Sequence, residues 1–254
     1  MEYNINIIKN LSWSDPTRRV GEQRDPPIGP VVIRQIYGTG FLISKNHFLT
    51  AAHVIKEITA HAWFGIAYPQ GNQSKVTPIL DYETIKGVDV AIFTAKPPNQ
   101  NLFHWSSASL PMASPVQTTG FPYGIDIEHS SIAVRSFVGH IVSSGLHFKL
   151  EGNPLAYELS FQCPRGLSGA PLCTSMTQDP RIIGMIVGNS STEMLVYSDR
   201  EIIHDLGMQK ESVVERYEAL QLGMAVQSSA LLNIDSRILN ANLKNHLMKN
   251  ELID

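Results

Sequence analysis

Cysteine is scarce in this chain: Cys163 and Cys173 are the two in 254 residues. That excludes the disulfide scaffold that holds many small secreted domains together. It leaves one bridge open, across the segment between them. Long apolar runs are also missing, and none approaches the 18 or more residues of a membrane span. Met1-Glu2-Tyr3-Asn4-Ile5-Asn6 shows no basic stretch leading into an apolar core, so no secretory leader is expected. Together these absences point to a reducing cytoplasm and away from a membrane. Charge is sparse too. The 20 basic and 23 acidic residues leave a net charge of −3, and the basic residues are scattered rather than striped, which excludes a general nucleic-acid field. No His-Glu-x-x-His, no Gly-x-x-x-x-Gly-Lys-Ser loop and no Gly-x-Gly-x-x-Gly motif is found. No metal and no cofactor is expected.

The chain is long enough for one large all-β unit or two small barrels, and its 43% hydrophobic content is that of a globular protein. Residues 1–30 carry Pro16, Pro26, Pro27 and Pro30 among mixed charges and read as a loosely structured arm. From Val31 the period changes. Val31-Val32-Ile33-Arg34-Gln35-Ile36-Tyr37 is rich in β-branched residues and bounded by Gly38, the pattern of a strand. Further short strands are expected near 40–44, 47–51, 61–68, 75–80 and 89–94, with one helical turn over Ala51 to Lys56. After the polar, Pro-rich connector Lys96-Pro97-Pro98-Asn99-Gln100-Asn101, strands are expected near 115–119, 131–142, 146–150, 155–162, 170–174, 181–187 and 223–227.

Three loops carry chemistry. Leu49-Thr50-Ala51-Ala52-His53 ends one apolar run, Gly87-Val88-Asp89-Val90-Ala91-Ile92 opens another, and Gly166-Leu167-Ser168-Gly169 interrupts a third. A serine hydroxyl needs a base within hydrogen-bond reach to become a nucleophile. An imidazole suits that task, because its ordinary pKa lies near 6.5. A carboxylate fixes the imidazole tautomer, and backbone N–H groups must await the oxyanion. His53, Asp89 and Ser168 supply the first three, and the N–H groups of Gly166 and Ser168 the last. Taken singly each has a plainer reading: a turn serine, a structural histidine, a capping aspartate. Their conjunction is what argues for a site.

These segments resemble the chymotrypsin/trypsin-like serine protease superfamily, in the style of its HtrA-type and other bacterial members. Gly38-Thr39-Gly40-Phe41-Leu42-Ile43 followed by Phe48-Leu49-Thr50-Ala51-Ala52-His53 is similar to the family's strand, turn, strand and histidine loop. Asp89-Val90-Ala91-Ile92 is similar to its aspartate segment, and Gly166-Leu167-Ser168-Gly169-Ala170-Pro171 to its nucleophile loop. The resemblance spans about residues 31 to 232. It implies an all-β fold of two six-stranded antiparallel barrels, the first over about 31–96 and the second over about 112–232, within a protease domain of 31–235. It also implies a serine endopeptidase that acts on protein or peptide substrates through an acyl-enzyme. Backbone near Val187–Asn189 would pair with substrate, while Gln162, Gly188 and Ala225 would shape the pocket.

Departures from the family pattern carry information. Leu167 stands where digestive members have an aspartate that pairs with a clipped N-terminus, so the loop must be ordered by other means. Gln162 stands where trypsins have an aspartate, so an uncharged side chain is favoured in the pocket over arginine or lysine. Narrow specificity or activation by a protein partner is expected of such an enzyme in a cytoplasm, and the resemblance extends to standalone bacterial proteins of defence or stress systems. A serine esterase and a non-proteolytic binding module on the same fold are the alternatives.

Two segments lie outside the core pattern. Residues 195–220 interleave charges and apolar residues at helical spacing and read as a helical insertion. Leu231, Ile234, Ile238, Ala241 and Met248 form an apolar stripe at helical spacing. A C-terminal helix over 236–254 is expected from it, and the resemblance implies that it packs on the second barrel.

Overall fold

The computed structural model describes residues 5–13, 31–58, 64–70, 73–96, 102–122, 134–175, 179–205 and 208–253. The first lobe contains β1 (Ile5–Trp13), β2 (Val31–Leu42), β3 (His47–Thr50), helix α1 (Ala52–Ile58), β4 (Phe64–Gln70), β5 (Gln73–Pro78), β6 (Asp81–Ile85) and β7 (Val90–Thr94). Its antiparallel sheet runs β5-β4-β1-β2-β3-β7-β6. The second lobe contains β8 (Pro115–Gly120), β9 (Arg135–Leu146), β10 (Leu155–Leu159), β11 (Pro171–Thr174), β12 (Ile182–Asp205) and β13 (Met208–Gln227). These close into a barrel in the order β10-β13-β12-β11-β8-β9. The chain ends with α2 (Ser228–Leu231), the short pair β14 (Asp235–Ser236) and β15 (Ala241–Asn242), and α3 (Leu243–Lys249).

Sequence explains the centre of each lobe. Val90-Ala91-Ile92-Phe93 is apolar at every position and buried at every position, as a strand covered on both faces must be. Its register puts Phe93 against Phe48, where the two rings stack with centroids 4.9 Å apart. One apolar cluster joins the lobes. It takes Phe41, Phe48 and Phe93 from the first sheet, Trp105 from the connector, Ile182, Met185 and Val226 from the barrel, and Leu243 and Leu247 from α3. A second cluster, with Val116, Tyr157, Leu159, Leu172 and Ile186, fills the barrel itself. Each fully buried side chain of this size stabilises the fold by about 1.5–3 kcal/mol. The two lobes therefore share a core.

The two-lobed all-β architecture expected from the resemblance is present. Several details differ from the sequence expectation. The first lobe has seven strands rather than six. The strands expected at 31–37 and 40–44 are one strand, β2, while β1 lies in the expected loose arm and pairs with both β2 and β4; a pairing at that sequence distance leaves no local signal. Asp81–Ile85 is a strand that went unread, and residues 148–152 are turn rather than strand. The connector residues 97–101 lie outside the described residues.

The expected helical insertion at 195–220 is a β-hairpin instead. Its Val196, Tyr197, Val213, Val214 and Tyr217 are residues that favour strands over helices. The expected C-terminal helix over 236–254 is likewise interrupted. A turn at Arg237–Asn240 has Asn240 at φ 51°, and the helix begins only at Leu243, with the Asn242 side chain accepting from the Asn245 N–H as its cap. Its apolar side joins the core shared by the lobes, and polar contacts tie the C-terminal segment to the first lobe. Arg237 pairs with Asp81, Ser236 donates to Glu83, and His246 reaches Ser44.

That last joint is sensitive to acid. The Ser44 hydroxyl lies 2.8 Å from His47 Nδ1 and 2.9 Å from His246 Nε2, with the two rings edge-on at 5.2 Å. One hydroxyl can donate to one ring and accept from the other only while the ring it donates to is neutral. Burial holds His47 below its ordinary 6.5, and burial, then His47 and Lys249, do the same for His246. The folded state therefore binds fewer protons than the unfolded chain below about pH 6.5, so stability falls as the pH drops from there towards the folded-state values. Thermal melts at pH 7 and pH 5 are expected to show a lower midpoint at pH 5, and His246→Gln is expected to shrink that difference.

Candidate active site

The site lies where the lobes meet. His53 is in the first turn of α1, directly after β3, and Asp89 sits in the turn between β6 and β7. Asp89 holds the histidine with both oxygens: Oδ2 is 2.7 Å from the ring Nδ1, and Oδ1 accepts the His53 backbone N–H at 2.9 Å. The second bond satisfies an N–H that the first turn of a helix leaves without a partner. One carboxylate thus fixes both the helix start and the ring. Burial alone would raise the Asp89 carboxyl, but the hydrogen bonds and charge of His53, joined by Lys56, outweigh it and hold the group below the ordinary carboxylate range. Asp89 is accordingly an anion throughout the neutral range. The His53 side chain keeps 41% of its surface exposed, so the ring is partly open to solvent.

Ser168 comes from the loop between β10 and β11. Its backbone carbonyl accepts from the Thr39 N–H at 2.8 Å, and the N–H of Gly169 bonds back to Ile186 at 2.8 Å. A Cβ on Gly38 would lie 2.8 Å from the Ser168 carbonyl and 2.5 Å from Val54, the residue after the histidine. A Cβ on Gly169 would lie 3.0 Å from the Ala51 nitrogen, two residues before the histidine. The nucleophile loop therefore lies against the chain on both sides of His53.

Thr39 is the fastener. It is fully buried. Its hydroxyl donates to Gly166 O at 2.8 Å and accepts from the Phe121 N–H at 3.1 Å. Its N–H takes Ser168 O, and its carbonyl accepts from Thr50 Oγ1 at 2.8 Å. Leu167 supplies the rest: its fully buried side chain belongs to the barrel core and lies 2.8 Å from where a Gly120 Cβ would be. Apolar burial and one threonine thus order the loop where digestive members use an ion pair. The sequence reading missed Thr39 as a site residue; its one local signal is a hydroxyl residue between two glycines in a strand.

Around the loop, the N–H groups of Leu167, Gly169 and Ala170 bond to Pro164, Ile186 and Leu167 carbonyls. Among the described residues, those of Gly166 and Ser168 have no acceptor in the protein. Two free donors beside the serine are what an oxyanion requires. Ser168 is followed by strand β11, not by the helix that an α/β-hydrolase elbow requires, and its histidine lies upstream. The esterase reading is therefore not favoured.

The expected pocket residues have separate fates. Gln162 is exposed, Val187 is buried in the core shared by the lobes, and Ala225 is buried in the barrel core. Gly188 sits at a bulge of β12, with open space where a Cβ would be. Asn189 does more than offer its backbone. Its Oδ1 accepts from the Cys163 N–H at 2.7 Å and its Nδ2 donates to Cys163 O at 2.8 Å. The side chain ties Cys163 to β12 at Asn189. Cys163 Sγ lies 2.6 Å from where a Gly223 Cβ would be, so a thiol occupies the space beside that glycine. Both cysteines are free and buried, Cys163 in the barrel core and Cys173 in the core shared by the lobes. Burial pushes each thiol up to about 12, leaving both neutral and unreactive. No group of three or more metal-ligating side chains is found among the described residues.

The family model described as Trypsin matches residues 19–191, ending where the long hairpin of β12 and β13 begins. No curated protein sequence matches the chain significantly. Among solved structures, the active form of the Rv3671c protease from M. tuberculosis is similar at 17% identity and a TM-score of 0.51, with 91% of this chain and 78% of that one covered. The HtrA-type protease AlgW, in a serine-to-alanine form with a tripeptide, is similar at 11% identity and a TM-score of 0.54, with 89% of this chain covered. This chain spans 56% of the AlgW chain. At such identities the structural likeness speaks for the fold, and the family match carries the activity. The chain belongs to the trypsin family of serine endopeptidases.

Proposed function

We propose that this protein cleaves a narrow set of protein substrates after small, uncharged residues, with Ser168 as nucleophile, His53 as base and then acid, and Asp89 as its orienter. His53 Nε2 takes the Ser168 proton as Oγ attacks the scissile carbonyl. The N–H groups of Gly166 and Ser168 receive the oxyanion, and the imidazolium that forms is balanced by Asp89. The same proton then goes to the leaving amine, and water attacks the acyl-enzyme with His53 again as base. The observation that carries this reading is the two-oxygen grip of Asp89 on His53 together with the docking of the serine loop against the same turn.

The preference for small residues rests on Asn189 and Cys163. The walls that would flank a substrate side chain are bridged by the Asn189 amide, and the space at Gly223 is filled by a neutral thiol. Neither offers a charge to arginine or lysine. A pocket that rejects one extra methylene discriminates by roughly 10–200-fold per group, which by itself narrows the substrate range. The scarcity of cysteine supports a reducing cytoplasm, and control by a protein partner suits an endopeptidase there.

A library of internally quenched peptides, with products sequenced, tests this. Cleavage after Ala, Gly, Ser or Val is expected, and Asn189→Gly is expected to admit larger aliphatic residues. A dominant signal for Arg, Lys or aromatic residues would overturn the pocket assignment.

A further inference from the structure

Strands β12 and β13 leave the barrel together. Beyond Gly188 and Gly223 they pair only with each other among the described residues, out to Asp205 and Met208. At about 3.3 Å per residue the ribbon reaches roughly 50 Å from Ser190. Residues 191–200 and 213–220 are exposed throughout, so neither face is covered. The register puts Met194, Tyr197, Val214 and Leu220 on one face and Leu195, Val213 and Tyr217 on the other. A lone two-stranded ribbon is marginal in water, and a long edge with apolar side chains is a template for another strand.

The two edges are not equal. The register shift between Leu195 and Tyr197 places a bulge in β12, and bulges disrupt the edge ladder and bend the strand that carries them. The same residues of β13 run without one. The ribbon is acidic, with seven acidic and three basic residues over 190–221, so pairings of two β13 edges centred on Glu215, Arg216 or Glu218 set like charges directly opposite. A pairing centred on Tyr217 does not. An antiparallel pair of β13 edges centred on Tyr217 puts each Arg216 opposite the other copy's Glu218 and each Val214 opposite the other copy's Leu220. A slip of one residue either sets Glu215 against Glu218 or separates Arg216 from Glu218.

We propose that the ribbon is a dimerisation arm: the outer edge of β13 pairs with the same edge of a second copy of this chain, about a two-fold axis through Tyr217. The four strands then form one sheet, and the interface is isologous. Directly opposed residues in such a pair have Cβ atoms about 4.5–5.5 Å apart, close to disulfide reach. Cys163 and Cys173 are buried, so a thiol placed at the axis reacts alone.

Sedimentation of the full chain, up to its solubility limit, is expected to show a dimer. Arg216→Glu and Glu218→Arg, each alone, set like charges opposite at two places and are expected to weaken the dimer about ten- to a hundred-fold. The double swap is expected to restore it. Tyr217→Cys under mild oxidation is expected to give a covalent dimer. A chain that stays monomeric at every concentration, or a dimer indifferent to both reversals, would overturn the proposal, as would failure of Tyr217→Cys to cross-link. None of these readings uses hydrolysis, so the arm can fail while the peptidase reading stands, and the reverse.

Discussion

Ser168→Ala is expected to lower the rate of peptide hydrolysis by about a million-fold, and Asp89→Asn by about ten-thousand-fold. The two losses have different origins. Alanine removes the attacking oxygen and leaves only the oxyanion donors and binding to act on a water. Asparagine keeps the shape but offers an N–H to a ring N–H. His53 must then turn its proton to Nε2, where it can no longer accept from Ser168. The Asn189 tie, the Thr39 bonds and the core are untouched by either change, so thermal melts are expected to move by little in Ser168→Ala. Asp89→Asn is expected to cost some stability as well, because the carboxylate also holds the His53 backbone N–H at 2.9 Å. Steady-state kinetics on a cleavable peptide, beside a melt of each variant, separate the chemical loss from the structural one.

Gly169→Ala is expected to lower the melting midpoint and to remove most activity although no reacting group is changed. Gly169 has φ +84°, in the region where a side chain costs about 1–2 kcal/mol. Its missing Cβ faces the Thr39 carbonyl and the Thr50 hydroxyl, with the Ala51 nitrogen at 3.0 Å. Backbone atoms of two strands cannot give way cheaply, and overpacking of this kind costs typically 1–3 kcal/mol more. A total of about 2–5 kcal/mol lowers the midpoint by roughly 5–15 °C in a chain of this size. The same crowding lifts the serine loop off Thr39, so kcat is expected to fall by at least about a hundred-fold, in line with the loss of one oxyanion donor. Gly145→Ala provides the control. Nothing lies within 4 Å of its Cβ position, and its midpoint and kcat are expected to stay near those of the parent.

What the sequence disclosed and what it hid follow one division. His53, Asp89 and Ser168 were legible because each stands in a short, locally determined turn at the end of a β-branched or apolar run. The role proposed for them needs only residue type and neighbourhood. Thr39 was not legible, since its four bonds reach Thr50, Phe121, Gly166 and Ser168, partners that no local pattern announces. The hairpin of β12 and β13 was misread for a related reason. Period-2 alternation marks a strand only when one face is buried. This ribbon is exposed on both faces, so apolar and charged residues mix on each, and a 3.6-residue spacing fits the mixture as well as any. At the C-terminus the helical stripe is real but broken by a turn at Asn240, where the chain needs a positive φ to bring α3 onto the core shared by the lobes.

The central claim is that Ser168 is activated by the His53–Asp89 pair. The most direct measurement is to treat the protein with a fluorophosphonate and map the adduct by mass spectrometry. A single adduct on Ser168, absent in Ser168→Ala and strongly slowed in Asp89→Asn, is the predicted result. No adduct on Ser168 in the folded protein, or labelling at the same rate after Asp89→Asn, would contradict it.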